Sequence, residues 1–464
     1  IDLNRLNMLI AVLEKRCNFN LSMQDIYVNV IGGMRIDEPA VDLSIAMAII
    51  SSYKNIPIDQ KTVFLGEIGL TGEIRNITNF EKRVKEISKL GYKTIYTNKR
   101  QIEKLKQEEV LDILRKVAPG TELRAGLDNI LKAKTGALIV LSESEQVMNI
   151  VDGGFKLDLD FTPANIYELC KMDGAIVVSK DLKKILRANV QLVPDHKIKT
   201  VETGTRHRTA ERTAKQTDEI VICISQRRGI ITIFKGDFRY VVNDTEAVIM
   251  EATQMLETLE KYKRVFDHML NVLTEHEFDD IVYLELVANA IYRSEMIMKM
   301  KTEVERTIVE LGNEGRLVNI QLLELIDNVE QEEKQIIQDY MIPSKIKDKK
   351  AADNILEEIR KLDRKGLVDS EKIIKILGYE ADSTTELLDM NVSPRGYRVL
   401  NKVPKMPVSV IEKIVESFGT LQMVCNATVA QLDDVDGIGE RRAKIINQSL
   451  KRLQEQNILK LYNI

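Results

Sequence analysis

Tryptophan is absent and aromatic residues make up only 5% of the chain, so a nucleic-acid surface that stacks bases on rings is not expected. Cysteine is scarce. Cys17, Cys170, Cys223 and Cys425 lie far apart with no Cys-x-x-Cys pair, which excludes a zinc ribbon and a disulfide framework and fits reduced thiols in a cytoplasm. No apolar run approaches the roughly 20 residues that cross a bilayer, and no basic stretch followed by an apolar one and a cleavage site stands near Ile1. Neither a membrane span nor a secretory leader is therefore expected, and a chain opening on Ile1 reads as one that begins inside a longer protein. A Gly-x4-Gly-Lys-[Ser/Thr] loop is also missing, so no P-loop motor is encoded. The formal net charge of -4 confines any nucleic-acid contact to a local basic patch.

What is present is charge and periodicity. At roughly 100 to 200 residues per domain, 464 residues make three or four units. Residues 1–103 alternate a helix (Leu6 to Glu14), a strand (Asp25 to Val30), a helix (Asp42 to Ser52) and glycine-rich strand turns, as in a compact α/β unit. A lysine-rich helical stretch from Lys99 to Lys116 leads to the turn residues Ala118-Pro119-Gly120-Thr121, and a boundary falls near residue 104. Residues 104–243 carry short β-rich runs (137–141, 175–179, 220–225 and 230–234) between helical patterns, which predicts a second α/β domain. Across 244–390 strand signals vanish and apolar residues recur at helical spacing, as in a bundle or spine. Residues 391–464 read as a small all-helical module with glycine-containing turns. The expected fold class is therefore multidomain α/β plus all-α.

The densest chemistry is Glu202-Thr203-Gly204-Thr205-Arg206-His207-Arg208-Thr209, which sets two guanidiniums, an imidazole and several hydroxyls beside a glycine. Arginine forks match phosphate oxygens, Gly204 lets backbone come close, and His207 can bind a metal or a phosphate. Earlier in the domain Asp173-Gly174-Ala175 precedes the β-branched run Ile176-Val177-Val178, so a carboxylate stands at a strand entrance with small neighbours leaving room for a ligand. Such a carboxylate can hold Mg²⁺ or accept a hydroxyl proton. Either motif alone is commonly a turn or a solvated loop; their joint presence in one domain points to a polyphosphate site.

With Ala118-Pro119-Gly120-Thr121, Lys134-Thr135-Gly136-Ala137, Met172-Asp173-Gly174-Ala175 and Gly204 to Arg212, residues from about 105 to 464 resemble the DisA family of bacterial diadenylate cyclases along its three-domain length. The resemblance implies an α/β cyclase domain with a mixed central sheet, a helical linker and a helix-hairpin-helix module. It implies a nucleotidyltransferase that condenses two ATP into cyclic di-AMP, with Mg²⁺ or Mn²⁺. By resemblance Asp173 activates the ribose 3′-hydroxyl and holds metal, His207 works near the metal, and Thr205, Arg206 and Arg208 hold phosphates. Gly174, Ala175, Leu192, Thr209 and Ser225 belong to the same ATP site. The family also implies a homo-octamer, since two domains must face each other before either hydroxyl reaches its phosphate.

Leu432 to Ile446 contains Asp436-Gly437-Ile438-Gly439-Glu440-Arg441-Arg442-Ala443-Lys444, the pattern of a helix-hairpin-helix. Gly437 and Gly439 permit a tight turn whose N–H groups can face a DNA phosphate, with Arg441, Arg442 and Lys444 close behind. Ile411 to Leu421, with Phe418-Gly419, is similar to a degenerate first half. The expected ligand is branched DNA such as Holliday junctions, and its binding is expected to inhibit the cyclase as a DNA-damage checkpoint. Recombination and repair proteins are further expected partners, in a cytoplasmic, nucleoid-associated setting.

Glu67-Ile68-Gly69-Leu70-Thr71-Gly72-Glu73-Ile74-Arg75 is similar to the C-terminal Lon-protease-like domain of the RadA repair family. Alignment places Ala40 at the serine nucleophile and Glu81 at the lysine base, so residues 1–103 are expected to be non-proteolytic. The rival to a cyclase is a non-catalytic protein that senses a nucleotide and binds DNA junctions.

Overall fold

The computed structural model describes residues 2–21, 23–29, 38–92, 94–345 and 350–461. They divide into two compact units, Ile1–Leu114 and Arg115–Ile464. The division falls inside one continuous helix, Lys99–Val117, which runs straight through the boundary drawn near residue 104 from the turn residues beyond it.

In the first unit the helices Leu3–Cys17 and Asp42–Lys54 bury Leu9, Leu13, Ile45, Ala46 and Ile49 against one another. Strand β1 (Thr62–Phe64) pairs in parallel with β4 (Thr94–Tyr96), and β2 (Glu67–Ile68) pairs antiparallel with β3 (Ile74–Arg75). Asp42, fully buried, accepts both forks of Arg5 at 2.6 Å and the backbone N–H of Ile68 at 3.2 Å, so one carboxylate ties both helices to β2. The strand expected over Asp25 to Val30 is not formed: residues 25–29 are irregular, and Val30 lies outside the described residues.

The second unit begins with a mixed sheet. Its strands are β5 (Ala137–Leu141), β6 (Val151–Asp152), β7 (Phe155–Asp160), β8 (Ala175–Val178), β9 (Lys184–Leu192), β10 (Ile220–Ser225), β11 (Ile230–Lys235) and β12 (Phe238–Val242). Their order is β12-β11-β10-β5-β8-β9-β6, with β7 also on β9, and only the β5–β8 pair is parallel. Every residue of β5 is buried, as suits a central strand covered on both faces. Helix Thr205–Thr217 lays Ala210 and Ala214 on the face that carries Leu138, Val140, Val177, Val221 and Cys223. Two alanines let the helix lie close to the sheet, which brings its first turn to the ends of β5 and β10.

Beyond the sheet, helices Thr245–Asp279 and Leu284–Leu311 form a spine around Leu259, Phe266, Leu273, Ile291, Ile297, Val304 and Ile336. This segment is not free of strand, because β13 (Val282–Tyr283) pairs with β14 (Asn391–Val392) at the start of the C-terminal module. A ladder of two residues leaves no periodic signal in sequence. The module itself contains helices Tyr397–Asn401, Val408–Phe418, Leu421–Asn426, Val429–Asp433 and Glu440–Leu461.

A buried polar cluster joins spine to module. Arg398 is fully buried; it pairs with the equally buried Glu277 and donates to Thr274 Oγ1 at 2.8 Å, while Tyr340 donates to Glu277 at 2.8 Å. Asp339 accepts the backbone N–H groups of Gly396 and Tyr397 at 2.7 Å and of Arg398 at 3.0 Å, capping the first helix of the module from the spine. Removing one member of such a pair strands the other charge out of water. Glu277→Leu is therefore expected to lower the unfolding free energy by about 3 to 5 kcal/mol, read from denaturant titration, with the larger loss in the second unit.

Candidate nucleotide site and DNA interface

Three stretches of the sheet open a cavity of about 850 Å³. One wall is Asp152-Gly153-Gly154 at the β6–β7 turn, another is Asp173-Gly174-Ala175 at the start of β8, and the floor is Asn189 to Leu192 of β9 with Leu138 of β5. The first turn of helix Thr205–Thr217 closes it with Thr205, Arg206 and Thr209. Asp173 projects into solvent, with its side chain 98% exposed, and one carboxyl oxygen stands 3.7 Å from Arg206 Nη2.

Arg206 is fixed by what it packs on. A Cβ at Gly136 would stand 2.0 Å from Arg206 Nη1 and 3.3 Å from the Ile224 carbonyl, so the guanidinium occupies the space that the missing side chain leaves. Its charge is felt at two buried thiols: burial pushes those of Cys170 and Cys223 up to about 12, and Arg206 opposes the shift. Gly204 caps the helix without a side chain, so the N–H groups of the first turn have no intrahelical acceptor and the positive helix end faces the same space.

A second concavity of about 430 Å³ lies on the other side of that turn, lined by Glu202 to His207 and by Ile224 to Arg228. Thr205 and Arg206 belong to both. His207 and Ser225 are found here and not beside Asp173. His207 Nδ1 is 3.4 Å from Cys223 Sγ; burial lowers its pKa, Glu202 opposes this, and Arg239, Arg206 and Arg228 reinforce it, which favours the neutral imidazole. Arg208 is exposed and lines neither space. The cause is helical phase: neighbours along a helix point about 100° apart, so Thr205, Arg206 and Thr209 share one face and His207 and Arg208 leave it.

Among the described residues no cluster of three His, Cys, Asp or Glu side chains forms a metal cage. Two carboxylates, Asp152 and Asp173, do line the larger cavity, and that fits Mg²⁺, which takes one or two carboxylates together with substrate phosphates and water. Sequence reasoning singled out neither Asp152, Gly153-Gly154, Asn189 nor Arg228. The paired glycines between strands were the only signal, and Asn189 and Arg228 carried none.

In the C-terminal module the turn after helix Val429–Asp433 places Gly437 at φ +87°. Arg441 is exposed, Arg442 donates to the Gly437 carbonyl at 2.5 Å and Lys444 pairs with Glu440 at 2.6 Å. The turn between helices Tyr397–Asn401 and Val408–Phe418 takes a similar course, with Lys405 at φ +60° where Gly437 stands at +87°. Val403 N–H bonds to the Leu400 carbonyl as Val435 N–H bonds to that of Leu432, and a cleft of about 850 Å³ separates the two turns. The glycine pattern hid the match, since Val403-Pro404-Lys405-Met406-Pro407 retains the backbone course without a glycine.

Three family models match parts of the chain. Residues 124–238 match the family model "DisA bacterial checkpoint controller nucleotide-binding", residues 242–386 match "DisA bacterial checkpoint controller linker region", and residues 6–100 match "Subunit ChlI of Mg-chelatase". The DNA integrity scanning protein DisA of Acetivibrio thermocellus is 51% identical over 358 residues, 77% of this chain and 98% of that protein. That of Carboxydothermus hydrogenoformans is 50% identical over 352 residues, 76% of this chain and 99% of its own length. That of Clostridium acetobutylicum is 48% identical over 355 residues, with 76% and 97% covered. Identity at this level across nearly the whole of each relative means that the chain belongs to the DisA family.

Proposed function

We propose that this chain is a diadenylate cyclase whose activity answers to DNA bound at its C-terminal module. The observation that carries the reading is that Asp173 and Arg206 line one cavity, 3.7 Å apart, and that Arg206 also lines a second, basic concavity on the other side of the helix N-terminus. The larger space takes adenosine, between Leu192 and the Asp173 turn. The triphosphate runs past Thr205 and Arg206 towards Ser225 and Arg228, with neutral His207 donating or accepting along its flank and Arg208 adding charge at the same turn. Asp173 accepts the proton of a ribose 3′-hydroxyl as its oxygen attacks the α-phosphorus of the other ATP; the new bond is 3′-oxygen to phosphorus, and the bond to the leaving pyrophosphate breaks. Repetition with the roles exchanged closes the ring. Mg²⁺ or Mn²⁺ held by Asp173, with Asp152 near, would neutralise charge on the phosphates.

One cavity holds one nucleotide, so a second copy must face it. The rim supports this. Met172, Phe155 and Val193 are 37%, 58% and 55% exposed, and each is the sequence neighbour of a residue lining the cavity. A higher assembly, up to the octamer expected from the family resemblance, would be carried by the spine. Residues 1–103 are assigned a non-proteolytic role, as scaffold or DNA-binding domain; the absence of proteolysis is supported by Ala40, which is buried at 1% exposure where a serine nucleophile would be needed.

Purified chain incubated with ATP and Mg²⁺ or Mn²⁺, with products separated by chromatography, is expected to yield cyclic di-AMP. Asp173→Asn is expected to lose at least about 100-fold in rate while still binding ATP, in line with loss of a general base. ATP binding without product from the wild-type chain would favour a nucleotide sensor instead.

For DNA, the exposed Arg441 beside the Gly437 turn is a backbone contact. Arg441→Ala is expected to weaken branched-DNA binding evenly across sequences and to lower the slope of log affinity against log salt by about 1. A loss confined to one sequence would contradict a phosphate role.

A further inference from the structure

The carboxylate of Asp173 stands on an exposed turn, and something must hold that turn still. Its exposure of 98% means that packing does not do it. The preceding residues offer only local bonds, Lys171 N–H to the Glu168 carbonyl and Met172 N–H to that of Leu169, both at 3.2 Å. Arg206 reaches the carboxylate itself at 3.7 Å, and the backbone of the turn is held from elsewhere by Asn189, whose side-chain amide donates to the Asp173 carbonyl oxygen at 2.9 Å.

Asn189 is placed for this by an irregularity in β9. Across the β8–β9 pair Ala175 faces Val190, but Val177 faces Arg187, so β9 carries one residue more than its partner in that interval. Asn189 stands there at φ +53°, a left-handed conformation that asparagine tolerates better than most residues. Asn189 lines the cavity from this bulge. Backbone closes in from both flanks. A Cβ at Gly174 would lie 2.9 Å from the Val190 carbonyl and 3.0 Å from the Asn189 carbonyl carbon, and a Cβ at Gly154 would lie 2.6 Å from the Ala188 carbonyl and 2.7 Å from that of Asn189. Three chain segments thus meet at one residue, and the two that flank it do so because they lack side chains.

From this geometry we infer that Asn189 is a positioning residue for the cyclase: its amide fixes the peptide of Asp173 and so aims the carboxylate at the metal and the ribose hydroxyl. This rests on the reading of Asp173 given above and deepens it. Asn189 acts through Asp173, so it should govern the rate of the chemical step and the metal-dependent part of nucleotide binding more than nucleotide binding itself.

Two substitutions separate the amide from the backbone conformation. Asn189→Gly keeps the left-handed conformation and removes the donor; Asn189→Asp keeps shape and conformation but sets an acceptor against the Asp173 carbonyl. Both are expected to lower kcat by roughly 10- to 100-fold, the scale for misplacing a reacting group by about 1 Å, with KM for ATP within about threefold of wild type. Thermal unfolding should stay at the wild-type temperature. Binding of 3′-deoxy-ATP, which cannot react, provides a readout without turnover: Mn²⁺ should strengthen it in wild type and much less in both variants, as in Asp173→Asn. Unchanged kcat in Asn189→Gly would overturn the assignment, as would a raised KM with kcat preserved, which would make Asn189 a direct nucleotide contact. If wild type makes no cyclic di-AMP, the cyclase reading falls, and the Mn²⁺-dependent affinity of the variants still decides the role of Asn189.

Discussion

Arg206 is the residue on which the proposed nucleotide site depends. It is the second residue of a helix whose alanines press it onto the sheet, its guanidinium fills the space left by Gly136, and it reaches to within 3.7 Å of Asp173. Through that one side chain the β5 start, the helix end and the β8 turn are held in a fixed relation. Both concavities share it, which is why the proposed binding mode passes nucleoside to phosphate at this side chain. A positive charge set beside a helix N-terminus, with the exposed Asp173 carboxylate 3.7 Å away, is a poor stabiliser of a fold and a good binder of phosphate.

The second fixed point lies in the spine. Arg398, Glu277, Tyr340 and Asp339 are all buried, and they bind the first helix of the C-terminal module to the long helix Thr245–Asp279. That long helix starts three residues after β12 ends, at the edge strand of the sheet. A disturbance of the module by bound DNA therefore has a stiff route to the cyclase domain, since buried ion pairs resist being opened. β13 and β14 add a short ladder at the same junction.

Much of the architecture was legible in sequence where one physical signal dominated. The runs 137–141 and 220–225 are strands to the residue because both are continuous apolar stretches buried on both faces. β7 and β9 were not legible. β7 alternates apolar residues with Lys156, Asp158 and Asp160 and stays exposed, while β9 is broken in register at the very residue that serves the site. Of the site residues, Asp173, Gly174, Ala175, Leu192, Thr205, Arg206 and Thr209 meet in one cavity. His207 and Ser225 lie across the helix turn and Arg208 faces solvent, because adjacency in a motif does not survive the rotation of a helix. The turn before Val408 gave no glycine signal, because a lysine there, Lys405, adopts the left-handed conformation that sequence reasoning assigns to glycine.

The most direct test of this account is a structure of the chain with 3′-deoxy-ATP and Mg²⁺. Adenosine should lie in the cavity between Leu192 and Asp173, with the triphosphate passing Arg206 towards Arg228 and a second copy presenting its own nucleotide opposite. A nucleotide bound elsewhere, or phosphates that leave Arg206 untouched, would contradict it.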